Sequence, residues 1–260
     1  MNKINYHNHT YLCKHAIGEP KDYVNKAVEN HYTEIGISDH GPLVPGWGLR
    51  MTLEQFYNVY LPQIDEAIAV YGNKIQIFKG LEIEYLENYE EFYQNLLLKL
   101  DYLILGQHVC YFKNKIHDIY HFMNEETLES YKDLVIKGMA SGNFKILAHP
   151  DVFMYKHKFW DSKAQEISQQ IIEAAIKYHV LLELNVNGIR RGPIITENNE
   201  ITYIYPRIEF WRLVSQYPNA LTIIGEDNHE PSLTNDEACE VAREMAERLG
   251  IKPITKFLGA

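Results

Sequence analysis

Seven short apolar runs, each followed by a stretch of helical period, constrain this chain more than any other feature. They are "KINYH" (3–7), "EIGIS" (34–38), "IQIFKGLEIE" (75–84), "DYLILG" (101–106), "FKILA" (144–148), "LLELNV" (181–186) and "LTIIG" (221–225). None shows the clean alternation of a strand with one wet face, so both faces are buried, as in parallel strands covered by helices. Helices are expected over 19–31, 52–72, 88–100, 124–141, 162–179, 206–217 and 234–250. Pro20 stands near the start of the first, and Pro62 kinks the second, which Gly72 stops. Ser162 is expected to cap the fifth-strand crossover helix, and the last helix ends at Gly250. No glycine-rich dinucleotide turn follows the first strand, so a closed or nearly closed βα barrel fits better than an open sheet. Residues 1–260 read as one barrel domain, with the polar "TENNE" at 196–200 a loop inside it.

The C-terminal ends of all strands in such a barrel converge on one face, where active sites lie. What stands there is chemically uniform. The first strand leads to His7 and His9, with His15 close behind; the second ends in Asp39 and His40, and the third carries Glu82. His108 follows the fourth, His149 and Asp151 the fifth, Arg190 and Arg191 the sixth, and Asp227 and His229 the seventh. Two histidines at i and i+2 of an extended segment point to the same side and can grip one ion. His-rich sites with carboxylates suit Zn, Mn or Fe(II) better than Ca or Mg. Seven histidines are too many for one ion; with Glu82 bridging and Asp227 they suffice for three. His31, His117, His121, His157 and His179 lack a strand-end position and read as surface or loop residues.

Net charge of −10 gives generic nucleic-acid or anionic-membrane binding no electrostatic support. An anionic substrate would need a locally positive site, which bound metal supplies. Cys13, Cys110 and Cys239 form no CxxC pair, which argues against a disulfide framework and for a reducing, cytoplasmic setting with inert thiols.

The ordered set (HxH, DH, a glutamate, two lone histidines and a terminal DxH) resembles the PHP (polymerase and histidinol phosphatase) family, from His7 to His229. Within it the chain is most similar to the stand-alone histidinol-phosphatase type, whose fold is a distorted (β/α)7 TIM-like barrel. The resemblance implies one metal at His7, His9, Glu82 and Asp227, a second at His15, His40 and His229, and a third at Glu82, His108 and His149. Asp39 would orient His40. It further implies a phosphomonoesterase of histidine biosynthesis that hydrolyses L-histidinol phosphate, with three divalent ions and a bridging hydroxide attacking phosphorus. Arg190 or Arg191 would neutralise the phosphate oxygens, and Asp227 or His229 would pass a proton to the leaving alkoxide. Two positions depart from the family. Glu226 stands where Ser or Thr is common, either altering metal preference or pairing inside the barrel. Tyr155 and Lys156 stand where an arginine is frequent, which makes Lys156 the candidate substrate contact. The alternatives are a PHP phosphodiesterase or exonuclease acting on nucleotides, an amidohydrolase, and an inactive metal-binding structural PHP protein. The amidohydrolase would want a ligand lysine on strand four, where His108 follows instead.

Overall fold

A computed structural model describes residues 2–43, 48–196 and 199–258 of the chain. Seven parallel strands form one sheet in sequential order: β1 (Lys3–Asn5), β2 (Tyr32–Ile37), β3 (Gln76–Ile83), β4 (Tyr102–Leu105), β5 (Ile146–Leu147), β6 (Leu181–Asn185) and β7 (Thr222–Gly225). Six of the expected apolar runs contain one of them, and the second run, 34–38, overlaps a strand that begins two residues earlier, at Tyr32. Sequential order with parallel pairing throughout is the topology of a βα barrel. The ladder does not link β1 to β7, but a parallel bridge between Asn8 and Asn228, just past their ends, does. The sheet thereby curls into a distorted seven-stranded barrel, nearly closed and pinned at the C-terminal ends of its strands.

The covering helices are α1 (Pro20–Glu29), α2 (Leu61–Tyr71), α3 (Glu90–Leu97), α4 (Glu125–Ala140), α5 (Ser162–Tyr178), α6 (Val186–Arg190), α7 (Ile208–Val214) and α8 (Glu237–Arg248). The kink expected at Pro62 takes the form of a widened turn just before it. A π stretch, Phe56–Tyr60, leads into α2, and the Leu61 N–H bonds back to the Phe56 carbonyl. A wide turn accommodates a residue that has no N–H to give to the ladder. The cap of α5 is Asp161, not Ser162: its side chain accepts from the Ala164 N–H, and Ser162 is the first helical residue. Asp236 caps α8 in the same way, and Gly250, at φ +70°, follows its end in the left-handed conformation glycine adopts freely.

Two apolar layers result. The larger lies between sheet and helices and includes Tyr23, Phe56, Leu103, Leu147, Ile171 and Trp211. The smaller fills the barrel with Tyr6, Tyr102, Ile104, Ile146, Ala148, Leu181 and Ile223. Tyr102 needs a bare strand opposite: a Cβ on Gly80 would lie 2.3 Å from its ring. Ile254, Phe257 and Leu258 pack onto the same cluster, and the Ile254 N–H donates to the carbonyl of Thr222 at the start of β7. Two hairpins were not expected: Val109–Phe112 with Lys115–Asp118, and Ile194–Ile195 with Ile201–Thr202. The second brackets the loop expected at 196–200, of which residues 197 and 198 lie outside the described residues. Among the described residues no helix is long and apolar enough to cross a membrane.

Candidate metal centre

The bridge that closes the barrel also builds the site. The His9 N–H donates to the Asn228 carbonyl (2.8 Å) and the Asn228 N–H to the His7 carbonyl (3.2 Å). The His7–Asn8–His9 and Asp227–Asn228–His229 segments are therefore held side by side, with the two asparagines as their shared rung. At the end of β4, Gly106 leaves room for the central carboxylate, since a Cβ there would stand 2.1 Å from Glu82 Oε1. Two of the site residues have left-handed backbones, His149 at φ +30° and Asp227 at φ +48°. Such residues cost of order 1–3 kcal/mol and persist only where their surroundings hold them.

The strand-end side chains converge as three groups. His7 and His9 oppose their Nε2 atoms at 3.0 Å, and both lie 3.5 Å from Glu82 Oε2. Asp227 Oδ1 completes this group at 3.6 Å from His7 and 3.1 Å from His9. On the other side of the same carboxylate, Glu82 Oε1 lies 3.0 Å from His149 Nε2 and 3.5 Å from His108 Nε2. The two imidazoles of that group are 3.3 Å apart at Nε2. His15, His40 and His229 form a third group, each offering a nitrogen within 4.8 Å of the others. His40 also approaches Glu82, with Nδ1 2.9 Å from Oε2 but not in hydrogen-bonding geometry. Glu82 thus faces the first group and His40 with Oε2 and the second group with Oε1.

The outer nitrogens fix the direction of four of these rings. His7 Nδ1 meets Glu183 Oε1 at 2.7 Å and His108 Nδ1 meets Glu84 Oε1 at 2.9 Å. His15 Nδ1 faces the Cys13 carbonyl (2.8 Å) and His229 Nδ1 the Asp227 carbonyl (3.1 Å). Carboxylates and carbonyls only accept, so each Nδ1 donates and each neutral ring turns an Nε2 lone pair inward. An Nε2 proton on His9 or His149, whose Nδ1 atoms have no hydrogen-bond partner, can meet these lone pairs one at a time, whereas a divalent cation would be met by several of them at once. The nitrogen-and-carboxylate donor set fits divalent transition ions. Burial alone would raise the Glu82 carboxyl, but positive charge on the rings of His108, His40 and His7 would hold it well below the usual carboxylate range. Burial, followed by the charge of His9, pushes His229 down to about 4, the neutral form a ligand needs.

Other expected residues lie elsewhere. Asp39 does not orient the His40 ring; it takes only the His40 backbone N–H (2.7 Å), while its carboxylate faces His9 Nδ1 at 3.6 Å and accepts from Thr10. Arg190 is turned away from the site and fully engaged, with Nε and Nη2 on the Asp236 carboxylate and Nη1 on the Glu226 carbonyl. That is a structural role, in place of the expected catalytic one. Arg191 alone of the pair lines the cleft, beside the ring of Tyr205. Lys156 is exposed and does not line it, whereas Tyr155 does. Glu226 is buried, accepting hydrogen bonds from Tyr32 and Asn228, so of the two expectations the internal pairing is realised. Asp151 caps the start of α7 by accepting the Arg207 N–H and lies outside the converging groups. The stretch 187–193 begins in the short helix α6, where Gly188 lets the Tyr205 carbonyl approach.

The cleft above these groups has a volume of about 920 Å³. The first hairpin and the residues just after it form one wall, with Ile116, Asp118, Tyr120 and His121; His121 is exposed in a turn, as expected, and borders the cleft from there. Cys13 is wholly buried, its sulfur within 4.8 Å of a nitrogen of His9 and of His229. Glu183 and Glu84 escaped notice although a signal existed, because a carboxylate inside an otherwise apolar, doubly buried strand must have partners.

Residues 5–187 match the PHP domain family. A probable histidinol-phosphatase of Deinococcus radiodurans is 22% identical over 259 residues, covering 93% of this chain and 92% of that one. A probable phosphatase of Citrobacter koseri is 27% identical over 202 residues, covering 76% of this chain and 70% of the relative. Among solved structures, the histidinol phosphate phosphatase of Lactococcus lactis, complexed with zinc, L-histidinol and phosphate, superimposes with a TM-score of 0.72. It is 17% identical, and the match covers 97% of this chain and 95% of that one.

Proposed function

The chain belongs to the PHP domain family, and from that footing we propose that it is a metal-dependent phosphomonoesterase whose substrate is L-histidinol phosphate. The observation that carries the reading is the convergence of His7, His9, Glu82 and Asp227 beside Glu82, His108 and His149, with His15, His40 and His229 adjoining. Three divalent ions in these groups would lower the pKa of water and neutralise phosphate charge. Glu82 holds two of the groups in register through its separate oxygens. Asp227 keeps Oδ1 on the histidines because Oδ2 accepts from Asn185 (3.1 Å) and Asn187 (3.2 Å). Arg191 offers a planar fork to phosphate oxygens, and Asp227 and His229 both line the cleft, beside the place where the departing alkoxide would take up its proton. The likeness to histidinol phosphatases in sequence and fold supports the substrate. So does the cleft itself: one cavity holds an anion-binding centre and the carboxylate of Asp118, which suits a phosphate ester whose other end is cationic. The three cysteines are free and buried, in keeping with a cytoplasmic enzyme.

Purified protein loaded with zinc, manganese or iron should hydrolyse histidinol phosphate faster than any phosphodiester in a mixed panel. Faster turnover of nucleotide diesters would replace this reading with the exonuclease one. Elemental analysis after mild purification should give close to three transition-metal ions per chain; full activity below one ion per chain would end the three-metal arrangement. Asp118→Asn should raise KM roughly fivefold for a phosphomonoester bearing an amine, about 1 kcal/mol for a part-exposed ion pair. Its KM for an uncharged ester should stay put, and equal shifts for both would remove Asp118 from recognition.

A further inference from the structure

Inside β6 sits a carboxylate that an apolar strand has no reason to carry. Glu183 is buried, with Oε1 2.7 Å from His7 Nδ1 and Oε2 accepting from the His149 backbone N–H (3.2 Å) and from Asn185 Nδ2 (2.8 Å). The neighbouring strand is bare where this carboxylate lies: a Cβ on Gly225 of β7 would stand 1.8 Å from Glu183 Oε1. Asn185 hands the contact on, since the same amide nitrogen lies 3.1 Å from Asp227 Oδ2. One residue on β6 therefore touches a ligand following β1, the backbone of a ligand following β5 and, through Asn185, a ligand following β7.

We propose that Glu183 is the positioning residue of the metal centre: it fixes the His7 ring with Nε2 inward and holds the His149 backbone in its left-handed conformation. The proposal rests on the metal-centre reading above. A carboxylate can only accept, so the His7 proton resides on Nδ1 and the Nε2 lone pair faces His9, Glu82 and Asp227. His149 at φ +30° keeps that backbone because its N–H has a fixed acceptor. An isolated buried carboxylate is costly, and apolar packing would serve the core as well; its three donors compensate that cost and turn the residue toward the site.

Glu183→Gln tests this with little change of shape. All three partners are donors, so the new amide NH₂ has no acceptor and must confront one of them. Zinc affinity, measured by chelator competition without substrate, should fall about 10- to 100-fold, the usual loss when an outer partner of a ligand histidine is removed. Nitrogen-15 spectra of the zinc-loaded wild type should show His7 protonated at Nδ1. Gly225→Ala, which pushes the carboxylate aside, should weaken zinc binding in the same direction. Protonation of wild-type His7 at Nε2 would overturn the proposal whether or not the variants fold. So would Glu183→Gln with wild-type zinc affinity, even if its apo form melts earlier, because that is what a purely structural role produces. A wild type that takes up no zinc, manganese or iron would overturn the metal-centre reading itself, and this proposal with it.

Discussion

Glu82→Gln should lose both metal and rate. The substitution keeps the volume of a side chain that is 1% exposed but removes the charge and one of two strong donor oxygens. Oε2 serves His7 and His9 while Oε1 serves His108 and His149, so no rotation of the amide preserves both groups. Whichever group receives the NH₂ faces a donor where a ligand stood. Outer partners of metal ligands are typically worth about 10–100-fold in metal affinity. A residue shared by two groups should cost more than about 100-fold, with kcat/KM falling at least as far. Elemental analysis and steady-state kinetics on one preparation decide it: normal metal content with normal kcat would make Glu82 a core residue.

Arg191→Met should remove transition-state stabilisation of about 2–4 kcal/mol, the range for a lost donor at comparable sites, or roughly 30- to 900-fold in kcat/KM. Metal content should be unchanged, because Arg191 lines the cleft without belonging to any of the three ligand groups. A phosphodiester, with one charge fewer, should suffer less than a monoester. Arg190→Met supplies the contrast. Its guanidinium is bound to Asp236 and to the Glu226 and Leu233 carbonyls, so the variant should lose stability while keeping its monoester-to-diester ratio. Equal losses on both ester classes for Arg191→Met would leave the preference for monoesters resting on resemblance alone.

The difference between these two arginines shows where linear reading ends. They are adjacent in "NGIRRGP", identical in type, and nothing along the chain separates them. Along the short helix α6 adjacent residues face different directions, and α8 presents Asp236 and the start of its first turn to one of them. Neither fact has a local signature. The same holds for Asp39, whose neighbour His40 suggested a partner, whereas in the barrel its carboxylate accepts from Thr10, just past the adjacent strand. Lys156 follows the pattern: a 3-10 turn over Val152–Tyr155 carries Tyr155 to the cleft and leaves the lysine exposed.

What the amino-acid order by itself determined was the periodicity and the strand-end chemistry. Seven doubly apolar runs can be buried only as parallel strands under helices, and parallel strands joined by crossovers must send all their C-terminal ends to one face. The converging histidines, Glu82 and Asp227 were legible from that, because all but His15 lie at or just past the end of a strand whose apolar pattern is unmistakable. What only the tertiary structure decided was which nitrogen of each ring faces the centre, which of two arginines reaches the cleft, and which carboxylates hold the ligands. Those depend on hydrogen bonds between strands far apart in sequence: Glu183 with His7, Glu84 with His108, Asn228 with His9. Periodicity is a property of neighbours along the chain, and burial enforces it locally. Partnership is a property of neighbours across the barrel, and it exists only once the barrel has closed.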